Sequence, residues 1–207
     1  MIRDRADAGR QLVAHLQPAG DVVVLGLPRG GVPVAAEVAA ALGAPLDVLV
    51  VRKLGAPGRP ELAVGALAGG VRVLNEDLVA RLRVSKEQLA RVTAVEQAEL
   101  ERREGAYRAG RPPLDLAGRT VVLVDDGLAT GATVVAAVQA VRRHGPARVV
   151  VAVPVGAPEA CARVAEVADE VVCPRRPVDF RAVGAHYADF GQTDDDEVRR
   201  LLAAAVR

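Results

Sequence analysis

Short aliphatic runs, each bounded by Gly, Pro or a charge, recur along the chain with stretches of helical length between them. Asp21 to Leu25, Leu46 to Val51, Val121 to Val124, Val149 to Val153 and Glu170 to Cys173 read as strands. Their continuous apolar character, without alternation, marks strands covered on both faces. Val32 to Leu42, closed by Gly43 and with Pro33 in its first turn, reads as a helix, as do Val134 to Arg143 and Ala157 to Val167. Alternation of this kind predicts an open, mostly parallel twisted α/β sheet flanked by helices. Residues 3 to 17 form a short amphipathic helix ended by Pro18 and Gly20. Thr193 with Asp194, Asp195 and Asp196 opens the last helix, whose acidic first turn suits the dipole.

The alternation lapses between Leu54 and Gly118. Gly55, Pro57, Gly58 and Pro60 make a loop, and Leu62 to Leu74 one or two short strands. Ser85-Lys86-Glu87-Gln88 is a capping box that opens a long charged helix to about Arg108. Glu87/Arg91, Glu99/Arg103 and Glu104/Arg108 are i,i+4 pairs with the acid first, as a solvated arm requires. Its Leu89, Val92, Val95, Leu100 and Tyr107 can pack on the core or on a second subunit, and Gly110, Pro112 and Pro113 stop it. The expected organisation is one domain over 1–207, an insertion at 54–118 holding a flexible loop and helical arm, and a small C-terminal hood with the last helix at 174–207.

Aromatic residues are 2% of the chain, which suits an aliphatic-filled sheet. Phe180, Tyr187 and Phe190 nevertheless gather in one tail segment, either as flat faces for a planar base or as a satellite core. A net charge of +1 gives no reason to expect nucleic acid or membrane as a partner. Cys161 and Cys173 lack metal-ligand spacing and read as idle thiols. His15 reads as a surface histidine. Arg3, Asp4, Arg5 and Asp7 leave no apolar leader at the start, so a cytoplasmic location is expected.

The chemistry concentrates at Val121 to Thr133. A buried strand runs into Asp125 and Asp126, and the small residues Ala129, Thr130, Gly131, Ala132 and Thr133 lead into a helix whose first N–H groups suit a phosphate. A haloacid-dehalogenase-type site wants a carboxylate where Gly127 stands. Neither a P-loop lysine nor a dinucleotide glycine pattern is present. After the first strand, Arg29, Gly30 and Gly31 offer backbone N–H groups and a charge to an anion. Arg52 and Lys53 follow the second strand, and ligands of open α/β sheets gather at such carboxyl ends.

The strand, acidic pair and Thr-Gly loop resemble the signature of the type I phosphoribosyltransferases. The resemblance covers roughly two-thirds of the chain and implies that fold. It implies that Asp125 and Asp126 hold the ribose hydroxyls of 5-phosphoribosyl 1-diphosphate (PRPP), that Ala129 to Thr133 hold its 5-phosphate, and that Arg29, Gly30, Gly31, Arg52 and Lys53 face the diphosphate. It further implies Mg²⁺ without a confident direct protein ligand, a closing loop with Arg72 and Glu61 as candidates, Pro154 and Val155 lining an acceptor site, and a homodimer. The expected activity is transfer of the phosphoribosyl group to a small nitrogen acceptor, a nucleobase by expectation, with diphosphate released. The alternatives are a PRPP or nucleotide sensor without turnover, and a hydrolase of phosphorylated ribosides.

Overall fold

The computed structural model describes residues 1–205. The chain opens with α1 (Arg5–Val13), β1 (Val22–Gly26), α2 (Gly31–Leu42) and β2 (Leu46–Val48). It then leaves for an antiparallel ribbon, β3 (Val51–Ala56), β4 (Arg59–Ala68) and β5 (Val71–Leu74), followed by a short α3 (Glu76–Arg81) and the long α4 (Lys86–Arg108). β6 (Thr120–Val124), α5 (Ala132–Arg142), β7 (Arg148–Ala152), α6 (Pro158–Ala165) and β8 (Glu170–Val172) return to the main sheet. A 3-10 turn (Val183–His186) and α7 (Asp195–Ala204) complete it. The main sheet has the order β2-β1-β6-β7-β8, and each neighbouring pair is parallel. Among the described residues no helix is long and apolar enough to cross a membrane.

Strand pleating sends alternate residues to opposite faces. Val24, Val122 and Val150 therefore pack with Val32, Val34 and Val38 of α2 and Leu12 of α1. Val23, Val121 and Val149 pack with Ala137, Val138 and Val141 of α5 and Val164 of α6. With helices on both faces, every residue of β6 is buried, and the charged residues that follow it emerge at the sheet's carboxyl edge.

The apolar run from Leu46 does not stay in one strand. β2 ends at Val48, the buried Leu49 and Val50 cross over, and β3 begins the separate ribbon at Val51. Arg52 and Lys53 accordingly lie inside β3 and not beyond the end of a main-sheet strand. The loop expected around Gly58 is a tight turn with φ of +73° at that glycine, and β4 is a ten-residue strand.

α4 carries the expected box, with the Gln88 N–H donating to Ser85 Oγ and the Ser85 N–H to Gln88 Oε1. Its C-terminal end is anchored where a solvated arm was expected. Arg108, 8% exposed, donates through Nε to both oxygens of the fully buried Asp47 at 3.0 and 3.1 Å, through Nη1 to Glu104 and through Nη2 to the Val48 carbonyl. Asp47 also accepts the N–H groups of Val48 and Leu114. Leu89, Leu100 and Tyr107 are buried, whereas Val95 is 69% exposed.

Candidate phosphoribosyl site

β6 delivers Asp125 and Asp126 against the turn that follows β1, and the contact is close. A Cβ on Gly30 would lie 2.0 Å from Asp126 Oδ2, and one on Gly31 would lie 2.6 Å from the Val124 carbonyl oxygen. The Leu27 N–H donates to that same carbonyl at 2.9 Å. Only glycine lets the two loops meet in this way. The acids thus stand beside the glycine-lined turn, as the sequence reading requires. Ala at position 31 would press on main chain, which has no rotamer to yield. Gly31→Ala is expected to cost about 1–3 kcal/mol of stability, the usual range for overpacking, as read from urea unfolding.

Each carboxylate has one oxygen engaged and one open. Asp125 Oδ1 accepts the Asp126 N–H at 2.9 Å. Asp126 Oδ2 accepts from Arg5 Nε at 2.9 Å and lies 2.8 Å from Nη2 of the same guanidinium. Asp125 Oδ2 and Asp126 Oδ1 have no partner among the described residues. Neither is among the buried side-chain atoms left unpaired, which are Glu104 Oε1, Arg119 Nε and His186 Nε2, so both reach solvent. Burial pushes the Asp125 carboxyl well above the usual carboxylate range, and the adjoining Asp126 adds to the shift. Burial raises Asp126 too, but Arg5 opposes it.

The loop expected to hold phosphate follows directly. The Leu128 N–H donates to the Val155 carbonyl at 2.9 Å and the Ala157 N–H to the Leu128 carbonyl at 2.8 Å, which fixes the loop's base. Gly131 takes a left-handed φ of +80° and starts α5. Ala129, Thr130, Ala132 and Thr133 are exposed around it. Asp125, Gly127, Thr130, Gly131, Thr133 and Val183 line a cavity of ≈ 170 Å³, at the helix end where N–H groups have no intrahelical partner.

The expected cations divide. Arg29 is 42% exposed and 3.9 Å from Asp195 Oδ1, an oxygen that also accepts the Tyr107 hydroxyl. Arg52 turns to the arm, donating from Nε to Glu96 at 2.7 Å, and lines a groove of ≈ 540 Å³ with Arg91 and Val95. The crossing at Leu49–Val50 carries it off the main-sheet edge, so the structure does not gather it with the acids. Lys53 lines that groove and also a cavity of ≈ 400 Å³ bounded by Thr133 and Arg163. It comes to the phosphate-loop helix, where Arg163 Nη1 donates to the Thr130 carbonyl. Arg72 is exposed, with a 3.4 Å contact from Nη1 to Thr93 Oγ1, and the side chain of Glu61 lies outside the described residues. Val155 is buried beneath the phosphate loop.

The tail contributes residues that the sequence reading did not assign. The Tyr187 hydroxyl donates to the Asp126 main-chain carbonyl at 2.6 Å, the Phe190 ring lies 4.9 Å from that of Tyr187, and the Arg5 guanidinium sits 4.1 Å over Phe190. Phe180 stacks on His186 at 5.5 Å. The aromatics therefore form a satellite cluster that also braces the acidic pair. No local pattern near Arg5 marks it out, because its partner is 121 residues away.

Fold and edge geometry together define a phosphoribosyl transferase domain. The family model of that description matches residues 3–189, and the chain belongs to this family. It is 55% identical over 207 residues to a Mycobacterium tuberculosis H37Rv protein named "Putative phosphoribosyl transferase Rv0571c", covering 99% of this chain and 47% of that protein. The chain thus spans about half the length of the curated relatives it matches. The crystal structure of TT1426 from Thermus thermophilus is similar at 50% identity and a TM-score of 0.87, with 97% of each chain covered. The AQ2163 protein of Aquifex aeolicus shares the fold at 16% identity and a TM-score of 0.52, over 98% of this chain and 87% of that one.

Proposed function

We propose that this domain transfers the 5-phosphoribosyl group of PRPP to a nitrogen acceptor. The observation that carries the reading is the acidic pair packed on Gly30–Gly31 and continuous with the Thr130–Thr133 loop. One sheet edge thereby offers hydroxyl acceptors between two anion-holding turns. Asp125 Oδ2 and Asp126 Oδ1 take the ribose hydroxyls. The loop's N–H and hydroxyl groups hold the 5-phosphate, with Lys53 and Arg163 flanking it. The main chain at Gly30–Gly31 and Arg29 face the diphosphate. The acceptor's nitrogen lone pair forms the bond to ribose C1 as the C1–O bond breaks, its electrons leave with the diphosphate, and the nitrogen then sheds its proton to solvent. Such a step needs chiefly positioning and charge stabilisation.

Among the described residues no group of three His, Cys, Asp or Glu could hold a metal ion. This donor set fits Mg²⁺ that arrives on the diphosphate, since Mg²⁺ keeps several waters and needs few protein ligands. Bound there, it neutralises phosphate charge. Phe190, 38% exposed, and the stacked Phe180–His186 pair supply aromatic surface for a planar nucleobase acceptor. We keep a homodimer as part of this reading, with Val95 on α4 as its candidate contact.

The test mixes PRPP, Mg²⁺ and a panel of nucleobases and amines and follows diphosphate release. Release that depends on one acceptor is expected. PRPP binding without release would turn the reading to a sensor, release without acceptor to a hydrolase, and the absence of PRPP binding would end it.

A further inference from the structure

We infer that Arg5, at the first position of α1, is a positioning residue of the ribose site, fixing Asp126 so that one carboxylate oxygen stays available to a ribose hydroxyl. This rests on the PRPP reading above and adds to it a residue outside the family's motif.

The geometry is that of a clamp. Arg5 Nε donates to Asp126 Oδ2 and Nη2 lies 2.8 Å from the same oxygen, which leaves Oδ1 open. Nη1 donates to the Gly191 carbonyl at 2.5 Å, and the guanidinium face lies on Phe190. Every nitrogen of the fork already lies against a protein oxygen, so Arg5 acts on the substrate through Asp126. The two side chains are 12% and 16% exposed, unlike a solvated surface pair, whose charges water screens. A planar guanidinium can meet a carboxylate, a carbonyl and a ring together, and an ammonium cannot.

The clamp is itself held. Asp4 caps α1 by accepting the Asp7 N–H at 2.7 Å. The Ile2 N–H donates to the His186 carbonyl and the Ala188 N–H to the Ile2 carbonyl, so the first residues run beside the tail. From that tail Tyr187 grips the Asp126 main chain. Asp126 is thus fixed at its carboxylate from α1 and at its backbone from the tail. The cluster also includes the diphosphate turn, because a Cβ on Gly30 would lie 3.1 Å from Arg5 Nε as well as against Asp126. Among the described residues no cation touches Asp125, whose engaged oxygen rests on a main-chain N–H. Arg5 opposes the effect of burial on both acids, through space at Asp125 and by direct contact at Asp126. A carboxylate held in one rotamer accepts a hydroxyl without first being ordered.

Calorimetry on the full chain with ribose 5-phosphate, 2-deoxyribose 5-phosphate and 3-deoxyribose 5-phosphate tests this. The parent chain is expected to bind each deoxy sugar more weakly than ribose 5-phosphate. Arg5→Met is expected to lose about tenfold to a hundredfold in affinity for ribose 5-phosphate, the worth of one hydrogen bond to a charged group. In that variant the penalty for one of the two deoxy sugars disappears while the other persists. Arg5→Lys, which keeps the charge but not the fork, falls between and supplies the comparison should the methionine variant not fold. Equal weakening toward all three sugars, or none, overturns the role of Arg5 and leaves the PRPP reading standing. A parent chain that binds the three sugars equally overturns that reading itself, and the inference with it.

Discussion

Asp125→Asn is expected to bind PRPP about tenfold to a hundredfold more weakly than the parent chain and yet to unfold at a higher temperature. The affinity loss follows from removing a charged acceptor for a ribose hydroxyl, a bond worth about 1.5–3 kcal/mol. The gain in stability follows from burial. Asn can still accept the Asp126 N–H, but it carries no charge into a site that raises the Asp125 carboxyl well above its ordinary value. The sign is that of a group whose folded pKa exceeds its unfolded one. Its favourable contribution is complete below the unfolded value of 3.8 and is lost as pH rises through the raised folded value. The advantage of Asn should be nil in acid, grow across that window, and then stay level. Thermal unfolding from about pH 3 to about pH 9 with parallel PRPP calorimetry checks both halves. Asp125→Asn with Asp126→Asn should fold and lose still more affinity. Undiminished PRPP binding in the double variant would remove the acids from the site.

Asp47→Ala should be the most destabilising single change considered, by about 3–5 kcal/mol, the cost of leaving a buried charge without its partner. Asp47 is fully buried and accepts from Arg108 and from two main-chain N–H groups. The variant takes this acceptor from Arg108 Nε and from both N–H groups, leaving Arg108 only Glu104 and the Val48 carbonyl to hold the end of α4. A domain of this kind holds only about 5–15 kcal/mol in all, so the loss is large. Asp47→Leu with Arg108→Met and Glu104→Gln removes every charge of the cluster and should recover much of it, since buried ionic groups are often no better than apolar packing. Urea unfolding of the three proteins decides. A midpoint for Asp47→Ala close to that of the parent would mean that the pair anchors nothing.

Local signals account for the main sheet, the helices on its faces, the capping box and the two glycine-bearing turns at the sheet's carboxyl edge. Each depends on an apolar run, a cap or a glycine that can be read in place. What escaped depends on distance. The run Leu46–Val51 is apolar apart from Asp47, and nothing in it marks the crossing to a second sheet, so Arg52 was expected at an edge it does not reach. Arg108 has a good surface partner in Glu104, and that pairing concealed its burial against Asp47, which itself looked like one polar residue in a strand. Arg5 sits in an alternation of charges that suits a solvated start. Its worth appears only once Asp126, Phe190 and Gly191 surround it.

The contact between Gly30 and Asp126 has a consequence for how this pocket can change. The turn that carries the acidic pair and the Gly30–Gly31 turn share a partition too thin for a single methyl group, so bulk added to either one displaces the other. The flanking aromatic segment leans on that partition through the Tyr187 hydroxyl and, by way of Arg5, through Phe190, so remodelling the tail disturbs the same wall.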